Sequence, residues 1–164
     1  MKNNLMKITQ KILFHNKVLR IFTGLIITAP PIVLTIWGIT HEVSSMDLQL
    51  ILFKFSVIYL IAFMFLSYEY IYKLKSNLLM ECINTTPKGA TSIIKNKISL
   101  LCTIAAIETL VLILINSIFA ISEGSLTIQY LIYIVVSIIL NIFLLSVTGV
   151  FSGAFAALKM KKIP

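Results

Sequence analysis

The sequence predicts an all-α protein: a polytopic membrane helical bundle with four transmembrane helices and both termini in the cytoplasm. Hydrophobic residues make up 59% of the 164 residues and charged residues only 12%. The chain also holds four apolar stretches of the length, about 20 residues, that a helix needs to cross a hydrocarbon core. These stretches run Ile21–Thr40, Leu48–Tyr72, Leu100–Ile121 and Ile128–Leu158.

The basic residues orient these spans. All of the 14 lysines and arginines except Lys54 lie before the first stretch, between the second and third, or after the fourth. The connections near Thr40–Asp47 and Ser122–Thr127 contain none. Because Lys and Arg stay on the cytoplasmic side, the termini and the loop 73–99 are expected in the cytoplasm. The net charge of +8 then reflects topology and contact with anionic lipid, and gives no support for nucleic-acid binding.

Residues 1–20 are predicted to form an interfacial amphipathic helix ahead of the four-span domain of residues 21–164. Such a helix lies in the plane of the membrane surface, with its apolar face down and its lysines toward the headgroups. A disordered basic tail is the alternative. At 100° per residue the apolar stripe consists of Met1, Leu5, Ile8, Ile12 and Leu19.

The first two spans each contain an unusual residue type. Pro30 and Pro31 lie near the middle of the first span, and proline removes a backbone donor and crowds the carbonyl four residues earlier. A kink or a break is therefore predicted there, acting either as a hinge or only in packing. Lys54 lies near the outer end of the second span, where its aliphatic stem can reach outward to water. The alternative is a charge held at depth.

The third span carries Glu108 near the expected bilayer midplane. An ionisable group at this depth costs several kcal/mol unless it is paired, protonated or hydrated, which makes it a functional candidate. The structural alternative is a protonated carboxyl bonded to Thr109, Asn116 or Asn141. Lys54 could pair with Glu108 only if the two helices adjoin and the lysine points inward.

The fourth stretch is longer than a simple span and contains a G-x-x-x-G pattern at Gly149 and Gly153. Small residues at this spacing let another helix approach closely. That helix could belong to the same subunit or to a second copy. The extra length predicts a tilt, a break near the glycines, or a cytoplasmic extension.

The loop 73–99 is the one sizeable cytoplasmic segment of this topology. Asn77–Asn84 is predicted to be a short amphipathic helix that Ser76 caps. Thr86 and Pro87 then supply a second N-cap and a first-turn proline. The loop is therefore predicted to form a helix, a tight turn, and a helix that re-enters the membrane.

This order of elements resembles the membrane subunits of ABC-2-type transporters. The loop after the second span of that family carries an acidic residue, a Thr-Pro-like turn and a lysine before the third span. The matching residues here are Glu81, Thr86-Pro87 and Lys95 or Lys97. The family normally has six spans and a glycine ahead of the acidic residue. With four spans, the chain would correspond to a truncated or split permease, or to another small four-span protein.

The resemblance implies a permease-like subunit that exports an unidentified substrate while a separate ATPase subunit hydrolyses ATP. That partner would contact Glu81, Thr86, Pro87 and Lys88. The chain would then be no enzyme and need no cofactor. It has no Gly-rich loop ending in Lys-Ser or Lys-Thr, and its cysteines are not spaced as a metal site.

The alternative function is that of a small immunity or accessory protein that binds another membrane protein, or a second copy of itself. The contact would be made by the small-residue stripe that contains Gly149 and Gly153. A membrane-embedded enzyme would require clustered polar groups, and Glu108 by itself does not form a catalytic constellation.

Overall fold

The computed structural model describes residues 17–76 and 89–159, apart from the side chains of 17–20, 22–23, 26–28, 73–76 and 89–91. The described residues form helices joined by short connections and contain no strand, so the all-helical prediction is confirmed. A π-helical turn, Ile139–Phe143, joins the last two helices. The five α-helices are α1 (Lys17–Thr40), α2 (Ser45–Ser76), α3 (Gly89–Ser122), α4 (Ile128–Ile138) and α5 (Leu144–Lys159).

Within the described residues, three helical segments are long and apolar enough to cross a membrane: Ser45–Tyr72, Ser92–Ser122 and Ile128–Lys159. They coincide with the second, third and fourth predicted spans. The apolar part of α1, Ala29–Thr40, is shorter. Large apolar side chains cover the outer surface of the helices, and contiguous apolar surface of this extent suits contact with lipid.

Helix α1 continues through both of its prolines. Pro30 and Pro31 lie inside the helix, so the double proline does not end it, and the hydroxyl of Thr35 donates to the Pro31 carbonyl at 2.8 Å. The helix also runs without a break past the predicted domain boundary at residue 20. The remainder of the predicted interfacial helix, residues 1–16, lies outside the described residues.

Helix α2 packs most extensively against α5, and two glycines make this close approach possible. A Cβ built on Gly149 or Gly153 would overlap backbone atoms of α2, in the second case the carbonyl oxygen of Met64. Next to the glycines, the hydroxyl of Ser67 donates to the Val150 carbonyl at 2.7 Å. The small-residue stripe is therefore used within the chain.

The π-helical turn explains how buried residues spaced four apart remain on one face of the fourth stretch. An α-helix has 3.6 residues per turn, so a stripe with a spacing of four drifts by about 40° at each step. A π-helical turn holds more residues and offsets this drift. The irregularity thus precedes the glycines, whereas a break near them was one of three alternatives that the length of this stretch left open. The buried stripe consists of Ile134, Ile138, Ile142, Ser146 and Val150.

Candidate functional site

Contacts at the two ends of the bundle fix the register of α2 and α3. At one end the backbone N–H and the hydroxyl of Ser45 donate to the Glu123 carboxylate at 2.7 and 3.0 Å. At the other end the Lys97 ammonium donates to the Tyr70 carbonyl at 3.0 Å. The two helices therefore run antiparallel. The first of these ends is called the Glu123 end and the second the Lys97 end.

This register brings Tyr59 of α2 level with Glu108 of α3. Both side chains are buried, with 4% and 1% of their surfaces exposed. The phenol lies close enough to the carboxyl for the two to interact electrostatically. Neither the Tyr59 hydroxyl nor either Glu108 oxygen has a hydrogen-bond partner among the described residues. An ionisable group thus lies in the interior beside a phenol.

Along the bundle axis, Ser146 of α5 lies within one helical turn of Tyr59 and Glu108. The helices α4 and α5 run parallel to α2, because Ser45 contacts the Tyr130 hydroxyl at 2.8 Å near the start of both, while Ser67 contacts Val150 further along. Ser146 is 1% exposed, and its hydroxyl has no partner within the described part of the chain. We call Tyr59, Glu108 and Ser146 the polar layer. Three helices contribute one side chain each.

A second pair of unpartnered side chains lies between the polar layer and the Glu123 end. Asn116 follows Glu108 by eight residues on α3, a rise of about 12 Å. The antiparallel register brings Gln49 of α2 within a turn of Asn116. Both amide groups are buried, and in the described ranges none of their four polar atoms has a hydrogen-bond partner.

A satisfied hydrogen-bond network lies at the Glu123 end. Besides its two bonds from Ser45, the Glu123 carboxylate accepts a bond from the Ser125 hydroxyl at 3.3 Å. A carboxylate at the first turn of α2 is favoured because the N-terminus of a helix carries partial positive charge. This network ties the connection after α3 to the start of α2.

The Lys97 end of the bundle contains a buried lysine. Lys97 has only 4% of its surface exposed, and its ammonium lies 5.8 Å from the centre of the Tyr70 ring. Lys97 is one of the two lysines that match the lysine before the third span of the transporter family. In the structure it links the start of α3 to the end of α2.

None of the partners expected for Glu108 from the sequence is hydrogen-bonded to it in the described part of the chain. Lys54 is exposed. The hydroxyl of Thr109 donates to the carbonyl four residues earlier at 2.7 Å. The half-buried Asn141 does the same through its amide at 2.9 Å, and Asn116 lies two turns away. The neighbour of Glu108 is Tyr59, which the sequence did not single out.

An apolar pocket of about 240 Å³ lies between α1 and α2 and reaches Tyr59. Its lining consists of Leu25, Ala29, Pro30, Ile58, Tyr59 and Ala62. The double proline therefore borders the helix that carries the phenol of the polar layer. The predicted ATPase contacts, Glu81, Thr86, Pro87 and Lys88, lie outside the described residues.

The chemistry available in the polar layer is that of a carboxyl, a phenol and an alcohol. These groups hold and transfer protons and form hydrogen bonds. No group of three or more His, Cys, Asp or Glu side chains in the described ranges could hold a metal ion. Comparison with protein-family models gave no match, and neither did comparisons with curated proteins and with solved structures. Function must therefore be inferred from the site itself.

Proposed function

We propose that the chain is a permease-like membrane subunit that exports an unidentified substrate, its helices being moved by a separate ATPase subunit bound to the loop 73–99. The observation that supports this most strongly is how the loop joins the membrane helices. Helix α2 continues to Ser76 and α3 begins at Gly89, so both ends of the loop enter helices directly. The bond from Lys97 to the Tyr70 carbonyl couples these helices on the loop side. A force on the loop would act on both helices at once.

In this proposal α1 is a fourth span, and the loop and both termini face the cytoplasm. The distribution of charge along the helices supports this orientation. Lys97 lies at the loop side of α3, whereas Glu123 follows its opposite end and Asp47 lies in the first turn of α2. Basic residues mark the cytoplasmic side of membrane helices.

The polar layer would be the part of the transport path that responds to this movement. Tyr59 and Glu108 belong to the two helices that the loop connects, so a shift of α2 against α3 would change their separation. Polar and ionisable groups inside a membrane are expensive and mark substrate or ion pathways. ATP hydrolysis would take place in the partner, with Glu81, Thr86, Pro87 and Lys88 as the contact region.

Copurification tests this proposal. Wild-type protein extracted in mild detergent should retain an ATPase and stimulate its turnover. The variants Glu81→Gln, Pro87→Ala and Lys88→Gln should lose most of this stimulation. Lys161→Gln removes the same charge as Lys88→Gln from a different basic segment and should behave like wild type. Absence of an ATPase, or loop variants that stimulate it like wild type, would refute the proposal.

A further inference from the structure

Five buried side chains leave eight polar atoms without a hydrogen-bond partner among the described residues. In folded proteins the large majority of buried side-chain polar atoms are paired, and an atom left unpaired has lost its hydration without gaining a bond in return. Water is the usual partner of groups that protein atoms do not satisfy. The five side chains are Gln49, Tyr59, Glu108, Asn116 and Ser146.

These groups lie at the level of Glu108 or between it and the Glu123 end. Between Glu108 and the Glu123 end lie the unpartnered amides of Asn116 and Gln49. Between Glu108 and the Lys97 end the polar side chain at the helix contact is Ser67, and its hydroxyl is bonded to a carbonyl. Buried apolar side chains fill the rest of that half: Phe63, Leu66, Leu101 and Ala105.

We propose that Glu108 is a proton-exchange site that water reaches from the Glu123 end, past Asn116 and Gln49. The carboxyl O–H bond breaks as the proton passes to a water molecule, and the hydronium leaves toward the Glu123 end. The carboxylate that remains accepts a hydrogen bond from the Tyr59 hydroxyl and from water held by Ser146. The apolar half toward Lys97 keeps the proton from crossing to the other side.

A proton fits this layer better than a metal ion does. Hard cations such as Ca²⁺ and Mg²⁺ need about six oxygen ligands or more, whereas the layer offers one carboxyl, one phenol and one alcohol. Tyr59 from α2 is the other titratable group facing Glu108, and Ser146 from α5 is uncharged. On the α1 side the pocket that reaches Tyr59 is lined by apolar residues. The inference does not depend on a partner ATPase.

Hydration of the path can be measured by cysteine labelling in sealed proteoliposomes. With Cys82 and Cys102 replaced by alanine, cysteine is introduced by Asn116→Cys and compared with Leu114→Cys. Leu114 lies half a turn away and is 62% exposed on the apolar surface. Only a thiolate in contact with water reacts, so Asn116→Cys should react with a membrane-impermeant methanethiosulfonate about tenfold faster or more. The reaction should occur from the Glu123 side and not from the Lys97 side.

Proton exchange itself can be followed by infrared spectroscopy, which needs no reagent to enter the bundle. The difference between wild type and Glu108→Gln assigns the carboxyl C=O band of Glu108. That band should shift in D₂O and disappear when the pH is raised on the Glu123 side alone. Asn116→Leu should slow the shift several-fold, while Leu114→Ala should not. A band that ignores both D₂O and pH, or that responds from the Lys97 side, would overturn the proposal.

Discussion

Alanine at Gly153 is expected to push α5 away from α2. The new Cβ would overlap the carbonyl oxygen of Met64 and lie 3.0 Å from the backbone nitrogen of Tyr68. Both atoms belong to the backbone of a helix and cannot rotate aside, so the helices must separate. Overpacking of this kind costs about 1–3 kcal/mol, and the better helix propensity of alanine returns about 0.5–1 kcal/mol. The net loss of unfolding free energy should be about 0.5–2 kcal/mol.

The assay is unfolding by SDS titration in mixed micelles, followed by loss of helical circular dichroism. Gly149→Ala should give a similar loss, because its Cβ would overlap the Leu60 carbonyl. The double variant should lose less than the sum, since one displacement of α5 relieves both overlaps. Gly24→Ala is the matched control: its Cβ meets nothing within 4 Å, so stability should be unchanged or slightly higher.

Two results would refute this reasoning. Equal stability of Gly153→Ala and Gly24→Ala would mean that α5 does not touch α2 at this point. Loss of a dimer, with no change in the unfolding free energy of the monomer, would assign Gly153 to contact between copies. Light scattering of the same samples separates these outcomes.

Two further contacts can be tested in the same assay. Glu123→Gln should lower the unfolding free energy by about 0.5–1 kcal/mol, because it removes the negative charge that Ser45 meets at the start of α2; an unchanged value would contradict that role. Gly38→Ala should also destabilise, since its Cβ would lie 2.6 Å from the Phe119 ring, and Phe119→Leu should recover part of the loss. Additive effects in this double-mutant cycle would show that the two residues do not touch.

The helical class and three long apolar helices can be predicted from the sequence. Length and apolarity are properties of each segment and do not depend on contacts with the rest of the chain. Glu108 was found for a similar reason, since a charge inside an apolar stretch is conspicuous. Tyr59 was missed because tyrosine is common in membrane helices, where it is usually associated with the interface. Its role depends on the antiparallel register of α2 and α3, which Ser45 and Lys97 set through contacts distant in sequence.

Two other features show where a single sequence stops being informative. The G-x-x-x-G pattern of Gly149 and Gly153 predicts a close helix contact but not which helix provides it. The length of the fourth stretch predicts a tilt, a break or an extension, but it does not say which of them occurs or where. The four-residue spacing of buried side chains from Ile134 to Val150 is a signal for the π-helical turn, and it can be recognised only once burial is known.

The close packing of α5 on α2 has a consequence for how the protein is made. Chains are synthesised from the N-terminus, so α2 is complete well before Gly149 and Gly153 exist. Only a helix that carries glycine can approach the backbone around Met64 so closely. During that interval α5 has not yet been made and cannot pack there. Helix α5 therefore reaches its place against α2 only after α2 has been made. A chain that stops before Ser146 would keep α1 to α4 and the acid at Glu108, yet lack the helix that fixes α2 in place.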